Sequence, residues 1–391
     1  MAEELRRNAW ILVGGFTAFF FLNVLNSSYA TVMALIKTDL GLSYTMSGAL
    51  MSAYFTGYAL GQIPWGVLAD RHGSKKVMSA SILGIASSTV LFGVSSSLWQ
   101  TVLARFLAGL LGAGVFVPGV KLVSGWFSPN FRGTALGILS IGGSVGLIAS
   151  SGLTPLATIR LGWRGTMVAF GLLGAVSTAF IWLTLREKTV AAPSRGDDDF
   201  SEVFRTLSFW ILAWDQMVRL GANYALIAWL PLILREEFGL GLVAAGAIFS
   251  LFNLAGMISN PLGGIASDRL GERWVLVGSF GALSAVSYYF ARLRDGPMIY
   301  VAVLLIGWLI NFVRSPSFAV LPRLYGAERA GRVSGIQNTF ASLGALLLPF
   351  LMGFMKDSTD SYWAGWMILS FALLSAALLS LLLGDRPHEN R

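Results

Sequence analysis

The chain has 391 residues, of which 55% are hydrophobic and 12% are charged, and its mean hydropathy is +0.68. Soluble globular domains carry about 25% charged residues, so this composition excludes an ordinary soluble fold and favours a membrane protein. There is no cysteine, and the two histidines fall in a loop and in the C-terminal tail. Because neither a metal-ligand cluster nor a nucleophile–histidine pair can be assembled, we expect no enzyme, no metal and no cofactor.

Twelve apolar runs are long enough to cross a hydrocarbon core, which takes about 20 helical residues. The first six lie at about 9–33, 44–68, 77–97, 99–127, 134–156 and 164–185. The second six lie at about 206–233, 242–266, 274–292, 297–321, 331–355 and 362–384. A polar stretch with Pro193 and three consecutive aspartates separates the two sets and is typical of a linker. The sequence therefore predicts an all-α membrane protein with two six-helix bundles, residues 1–186 and 205–391, joined by a cytoplasmic linker at 187–204.

The loop after the second predicted span is repeated after the eighth, at an offset of 198 residues. Glycines and prolines further along the chain obey the same offset, so each copy is half of the protein and not a short stacking repeat. A glycine in each loop permits a tight reversal between two helices. The repeated residues are Asp70, Arg71 and Gly73 in the first copy, and Asp268, Arg269 and Gly271 in the second.

Basic residues are distributed unevenly between the two sides of the predicted membrane. With the N-terminus inside, the cytoplasmic segments hold 17 lysines and arginines and the opposite segments hold 7. This bias favours both termini in the cytoplasm, and we expect a monomer in the plasma (inner) membrane. It also accounts for the net charge of +8 without a nucleic-acid partner.

The repeated Asp-Arg-x-Gly loop resembles the signature loop of the major facilitator superfamily, and the segment from Arg105 to Gly114 resembles that superfamily's second motif. The resemblance covers essentially the whole chain. It implies two pseudo-symmetric bundles with a substrate site between them near the midplane, and transport by alternating access. It further implies that Asp70 latches the cytoplasmic side against the eleventh helix, and that Arg105 has a structural or coupling role. We therefore expect both loops and Arg105 to act in gating, although the loop as a plain anchored turn stays an alternative.

Charged residues inside predicted spans cost about 2.5–3.5 kcal/mol each on insertion scales, so each needs a partner, a cavity or a function. Asp215 and Arg219 lie four residues apart, on one face of a helix. They form either a self-neutralised pair, or an anion-binding Arg219 with Asp215 coupling protons. Arg314 contacts either the substrate or a partner in its own bundle, and Lys121 either binds substrate or extends to the membrane surface.

The excess of cations over acids in the spans favours an anionic substrate, and several amides accompany them. The predicted substrate-binding residues are Asn23, Asn26, Lys121, Arg219, Asn223, Asn311, Arg314, Gln337 and Asn338. We predict a secondary active transporter of a small organic anion, a mono- or dicarboxylate, coupled to protons or working by exchange. The segment from Lys121 to Ala135 is similar to anion:cation symporters and to the monocarboxylate or oxalate:formate group. The alternatives are an exporter of lipophilic compounds, consistent with 13% aromatic residues, and a non-transporting receptor or scaffold.

Overall fold

The computed structural model describes residues 6, 8–187, 201–294, 296–325 and 327–384, and this part of the chain is helical with short turns. In the first half of the sequence the helices are α1 (Ala9–Thr31), α2 (Met33–Leu40), α3 (Tyr44–His72), α4 (Ser74–Gly93), α5 (Leu98–Gly112), α6 (Phe116–Trp126) and α7 (Pro129–Thr184). In the second half they are α8 (Ser201–Arg205), α9 (Leu207–Glu236), α10 (Leu242–Leu270), α11 (Glu272–Phe290), α12 (Met298–Phe312), α13 (Arg314–Tyr325), α14 (Ala327–Thr359) and α15 (Trp363–Ser380).

Every predicted span coincides with helix, so the predicted all-α membrane fold is confirmed. The fourth span is broken between α5 and α6, and the tenth is broken between α12 and α13. Helix α7 contains two spans, because Gly162 interrupts it with a φ of +66°. Among the described residues, nine helical segments are long and apolar enough to cross a membrane by length and composition alone. The twelve spans are reached when α3 and α11 are added and α7 is counted twice.

The chain forms two compact units. Unit 1 comprises Met1–Leu42, Ala53–Arg195 and Leu242–Ser250, and unit 2 comprises Ser43–Ser52, Gly196–Gly241 and Leu251–Arg391. Each unit thus includes a short helical stretch from the other half of the sequence. Residues 188–200, which contain most of the predicted linker, lie outside the described residues, so the bundle boundaries at 186 and 205 stay predictions.

Glycines allow close contacts between helices in both units, and one contact in unit 1 has a counterpart in unit 2. In unit 1, a side chain at Gly146 would collide with the backbone oxygen of Phe20, and in unit 2 a side chain at Gly344 would collide with that of Met217. Gly146 and Gly344 are related by the 198-residue repeat. The same device, a glycine that lets two backbones approach, therefore packs the fifth span on the first and the eleventh on the seventh.

The glycines of the two repeated loops have the conformation that the sequence predicts. Helix α3 ends at His72, and Gly73 follows with a φ of +92°. Helix α10 ends at Leu270, and Gly271 follows with a φ of +83°. Residues with a Cβ atom rarely adopt these values, so the tight reversals depend on glycine.

Candidate functional site

Helix α9, in unit 2, carries the charged residues on which the predicted substrate site depends. Asp215 and Arg219 are both buried, with 0% and 5% of their surface exposed. Arg219 donates from Nε and Nη2 to Oε1 of Gln216, at 3.0 and 2.7 Å, whereas Asp215 accepts from the hydroxyl of Ser380 at 2.8 Å. Among the described residues, Asp215 and Arg219 form no ion pair, so the geometry does not support the self-neutralised pair.

Gln216 determines which edge of the Arg219 guanidinium stays available. A guanidinium carries five N–H donors in a planar fork. Gln216 occupies the side edge formed by Nε and Nη2. The end edge, formed by Nη1 and Nη2, donates to no other residue in the described part of the chain. Such an edge binds a carboxylate through two parallel hydrogen bonds.

Arg314 lies at the break in the tenth span. Because α12 ends at Phe312 and α13 begins at Arg314, this residue is at the N-terminus of a half-helix. Arg314 is exposed, in contrast to the buried Arg219. The Arg314 charge acts on Arg219, and Tyr224 interacts electrostatically with both. Unit 2 therefore brings the two arginines into one neighbourhood from different helices.

Several buried polar atoms in unit 2 have no hydrogen-bond partner within the described part of the chain. They include Oδ1 of Asp215, Nε2 of Gln216, and both Oε1 and Nε2 of Gln337. Most buried polar groups in proteins are hydrogen-bonded, and leaving one unsatisfied costs about 1–3 kcal/mol. A hydrogen-bonding solute beside Gln216 would satisfy one of these groups, and a proton on Asp215 would remove the charge of its buried carboxylate.

The other predicted substrate residues of unit 2 are less exposed to a solute than Arg314. Asn223 is half-buried, one turn beyond Arg219. The amide of Asn311 donates to the carbonyl oxygen of Gly307 at 3.1 Å. Gln337 is fully buried, and the neighbouring Asn338 is half-buried on α14. No contact in the described structure joins these four to the Arg219 and Arg314 guanidinium groups, so their substrate contact stays a prediction.

In unit 1, Arg105 binds within the protein. Its Nη1 donates to the Asn26 carbonyl oxygen at 3.1 Å, and its Nη2 donates to Oδ1 of Asn26 at 3.0 Å. The guanidinium carbon lies 4.0 Å from the ring centroid of Tyr29 and 4.7 Å from that of Tyr54. Arg105 thus ties α5 to α1 and α3. The same contacts engage the Asn26 amide oxygen, which the sequence predicts to bind substrate.

The remaining predicted residues of unit 1 have local partners. Nδ2 of Asn23 donates to the carbonyl oxygen of Phe19 at 2.9 Å. Lys121 forms an ion pair with Asp70, with Nζ 2.5 Å from Oδ1. A predicted substrate residue thus pairs with a predicted gating residue, and both side chains are partly exposed. Arg71, Asp268 and Arg269 are exposed at the ends of their helices.

Sequence reasoning missed three residues that the structure makes prominent. Gln216 had a signal, because it is a polar residue next to Asp215 in an apolar span. Glu187 follows the sixth span and accepts from the backbone N–H groups of Ser74 and Lys75 at 3.0 and 2.8 Å. It caps α4 directly after the Gly73 turn, and a contact over that sequence distance had no local signal.

Asp357 is the third missed residue, and it caps another helix within unit 2. Its carboxylate accepts from the backbone N–H groups of Tyr44 and Thr45, at 3.0 and 2.7 Å, and from the Thr45 hydroxyl at 2.5 Å. Beside it, Glu236 accepts from the hydroxyls of Tyr44 and Tyr362 at 3.0 and 2.7 Å. These contacts hold the first turn of α3 in unit 2.

The profile of the Major Facilitator Superfamily matches residues 11–258 and 216–391. The chain belongs to the major facilitator superfamily. Among curated proteins, this major facilitator chain is 26% identical to the Probable L-galactonate transporter of Escherichia coli K12, over 94% of the chain and 88% of the relative. It is 27% identical to the Probable galactarate/D-glucarate transporter GudP of Bacillus subtilis 168, over 89% of the chain and 85% of the relative.

A solved structure agrees with this assignment at the level of the fold. The bacterial homologue of the human lysosomal transporter Spinster, in its inward-facing and unoccupied conformation, superposes with a TM-score of 0.76. The match covers 96% of this chain and 95% of the other, at 17% sequence identity.

Proposed function

We propose that this major facilitator protein is a secondary active transporter of small organic anions, either mono- or dicarboxylates. The observation that carries the proposal is the neighbourhood of Arg219 and Arg314 in unit 2. Among the described residues, neither guanidinium has a carboxylate partner. Two cations held inside a membrane protein without a counter-ion favour an anionic ligand, because charges in lipid need compensation.

The donor arrangement favours a carboxylate over a larger lipophilic compound. The end edge of Arg219 presents two N–H groups to a solute, and Arg314 adds a second planar fork. Arg314 also opens a half-helix, whose first N–H groups and positive dipole end attract anions. The two curated relatives are named for sugar acids, which agrees with a carboxylate flanked by hydroxyl groups.

Coupling and gating belong to the same proposal. Asp215 is our candidate for proton coupling, since one of its oxygens is buried with no hydrogen-bond partner among the residues that the structure describes, and it can take up a proton. The gating residues are Arg105 and the two repeated loops, with Asp70 released from Lys121 when it acts as a latch. Both termini and the linker lie in the cytoplasm of a plasma-membrane monomer, and the chain carries out no catalysis.

Ligand binding to purified protein tests the anion site directly. We expect L-galactonate or D-glucarate to raise the thermal stability of the wild-type protein, by about 2.7 kcal/mol at a concentration of 100 Kd. Arg219→Ala and Arg314→Ala should abolish this stabilisation, whereas Arg160→Ala, which changes an exposed arginine in unit 1, should retain it. Equal stabilisation of all four proteins would reject the proposed site.

A further inference from the structure

Unit 2 contains a cavity that neither Arg219 nor Arg314 lines, at the end where α9 and α11 finish and α15 begins. Its volume is about 380 Å³. That size lies within the range of small-molecule sites, about 300–1,000 Å³. Five of its eleven lining residues are aromatic, and two others, Glu237 and Arg294, carry charges of opposite sign. The cavity is therefore shaped for a small solute that carries both charges.

One part of the wall offers unused hydrogen-bond donors. Arg294 is exposed and has no ion-pair partner among the described residues. Trp366 is 2% exposed, and within the described part of the chain its indole N–H donates to no acceptor. The indole N–H of Trp363 is likewise without an acceptor there. A guanidinium and two indole donors match the oxygens of a phosphate group.

Another part of the wall suits a cation. The Glu237 side chain is 43% exposed, and its Oε1 lies 3.6 Å from Nζ of Lys356, so the carboxylate is only partly compensated. Phe238 and Tyr362 line the cavity next to it. Aromatic faces attract ammonium groups, by about 0.5–2 kcal/mol per contact. The wall thus provides for a positive group and a phosphate within one small volume.

Exposed apolar side chains also lie on α15, at its start and again beyond the buried Met367. Trp363 is 50% exposed at the start of this helix, followed by Phe371 at 65%, Leu374 at 40% and Leu378 at 56%. The spacing of 3 to 8 residues keeps these side chains on one side of the helix. Trp at the end of a span is typical of the headgroup level of a bilayer. A ligand with a polar head in the cavity and long apolar chains can reach these side chains, whereas a small soluble zwitterion cannot.

We propose that this cavity binds the headgroup of a zwitterionic phospholipid, with its phosphate at Arg294 and the two indoles and its ammonium at Glu237 and the aromatic rings. The acyl chains lie along the exposed face of α15. This lipid site is separate from the proposed anion site at Arg219 and Arg314, so lipid binding does not depend on the proposed anion transport.

Native mass spectrometry of the full-length protein tests the proposal. Protein delipidated in detergent is mixed with equal amounts of phosphatidylethanolamine, phosphatidylcholine and phosphatidylglycerol. We expect one zwitterionic lipid to be retained by the wild type and at least tenfold less by Arg294→Gln and by Glu237→Gln. The matched control is Arg292→Gln, because Arg292 stacks 3.8 Å from the Tyr288 ring centroid and does not line the cavity.

Three outcomes would overturn the site. Equal retention of lipid by Arg294→Gln and the wild type would show that Arg294 does not bind the phosphate. Preferential retention of phosphatidylglycerol would show that the site does not recognise the ammonium group. The third outcome is displacement of the lipid by soluble O-phosphoethanolamine at a concentration equal to that of the lipid. This result would show that the acyl chains contribute nothing to binding and that the ligand is a soluble zwitterion.

Discussion

Gln216 gives the sharpest prediction about the anion site, because its carbonyl oxygen positions Arg219 without itself needing to touch the substrate. Gln216→Leu keeps most of the side-chain volume and removes the acceptor of both Arg219 bonds. Gln216→Glu keeps the acceptor geometry and adds a negative charge beside the guanidinium. We expect both variants to fold and insert, and both to bind carboxylates poorly, for different reasons.

The magnitude follows from the two hydrogen bonds. Hydrogen bonds to charged groups contribute about 1.5–3 kcal/mol, and the two bonds share one acceptor, so we take that range for the pair. If this free energy is lost from substrate binding because the end edge of Arg219 is misplaced, KM for uptake rises about 10- to 150-fold in Gln216→Leu, since 1.4 kcal/mol corresponds to a tenfold change. In Gln216→Glu the new carboxylate neutralises Arg219, and uptake should fall at least as far.

The assay is initial-rate uptake of labelled galactonate or glucarate into proteoliposomes at several concentrations. The matched control is Gln62→Leu, which changes a half-buried glutamine of α3 with no hydrogen bond among the described residues. A positioning role predicts a rise in KM for both Gln216 variants, and none for Gln62→Leu, at equal amounts of folded protein in the vesicles. If Gln216→Leu and Gln216→Glu both keep KM within twofold of the wild type, Gln216 does not position Arg219 for the substrate.

Three further predictions concern other parts of the chain. Asp357→Ala removes the cap on α3, which is worth about 0.5–2 kcal/mol. A cysteine at buried Ser47 in this cysteine-free chain should then react with an impermeant maleimide about 2- to 30-fold faster, and an unchanged rate would show that the cap does not hold α3. Arg105→Met removes two bonds to a charged group and should cost about 2–4 kcal/mol in reversible unfolding by sodium dodecyl sulfate, which a loss below 1 kcal/mol would contradict. Hydrogen bonds from Arg164, and secondly from the indole of Trp163, lower the pKa of Asp39 in the folded protein. The ionised carboxylate therefore stabilises the folded protein above its unfolded-state pKa of about 3.9, and this stabilisation is lost as the pH falls through the folded-state pKa. Asp39→Asn should therefore lower the unfolding temperature more at pH 7 than at pH 3, and an equal effect at both pH values would count against the ion pair.

Much of the fold could be predicted from the sequence, because the bilayer imposes a length on each span. The twelve apolar runs correspond to helices for that reason. The conformation of the repeated loops could also be predicted, since Gly73 and Gly271 have positive φ values that residues with a Cβ atom rarely adopt. The helix breaks at Val313 and near Val115 were not predicted, because the hydropathy of both spans is continuous across them.

The partners of the charged residues could not be predicted in the same way. A spacing of four predicts that Asp215 and Arg219 share a helix face, but it does not determine which neighbouring residue each of them hydrogen-bonds. Ser380 comes from α15, 165 residues further along the chain, and its hydroxyl bonds Asp215. Arg219 turns instead to Gln216, three residues earlier on its own helix. Side-chain torsions and packing against distant helices decide such choices, and neither is contained in a local pattern.

Lys121 shows the same limit for a predicted substrate residue. Its position inside the fourth span left both substrate contact and extension to the surface open. The ion pair with Asp70 connects it to a loop 51 residues earlier, and the resemblance to the superfamily had assigned that carboxylate to a different helix. Whether Lys121 also meets substrate stays a prediction, and its ammonium group must first leave Asp70.

The central claim is that Arg219 and Arg314 bind the transported anion. The most direct measurement is carboxylate uptake into proteoliposomes, with and without a pH gradient, by the wild type, Arg219→Ala and Arg314→Ala. We predict concentrative uptake by the wild type and at least a hundredfold lower kcat/KM in each variant, with equal amounts of folded protein in the vesicles. Full carboxylate flux in both variants would contradict the claim.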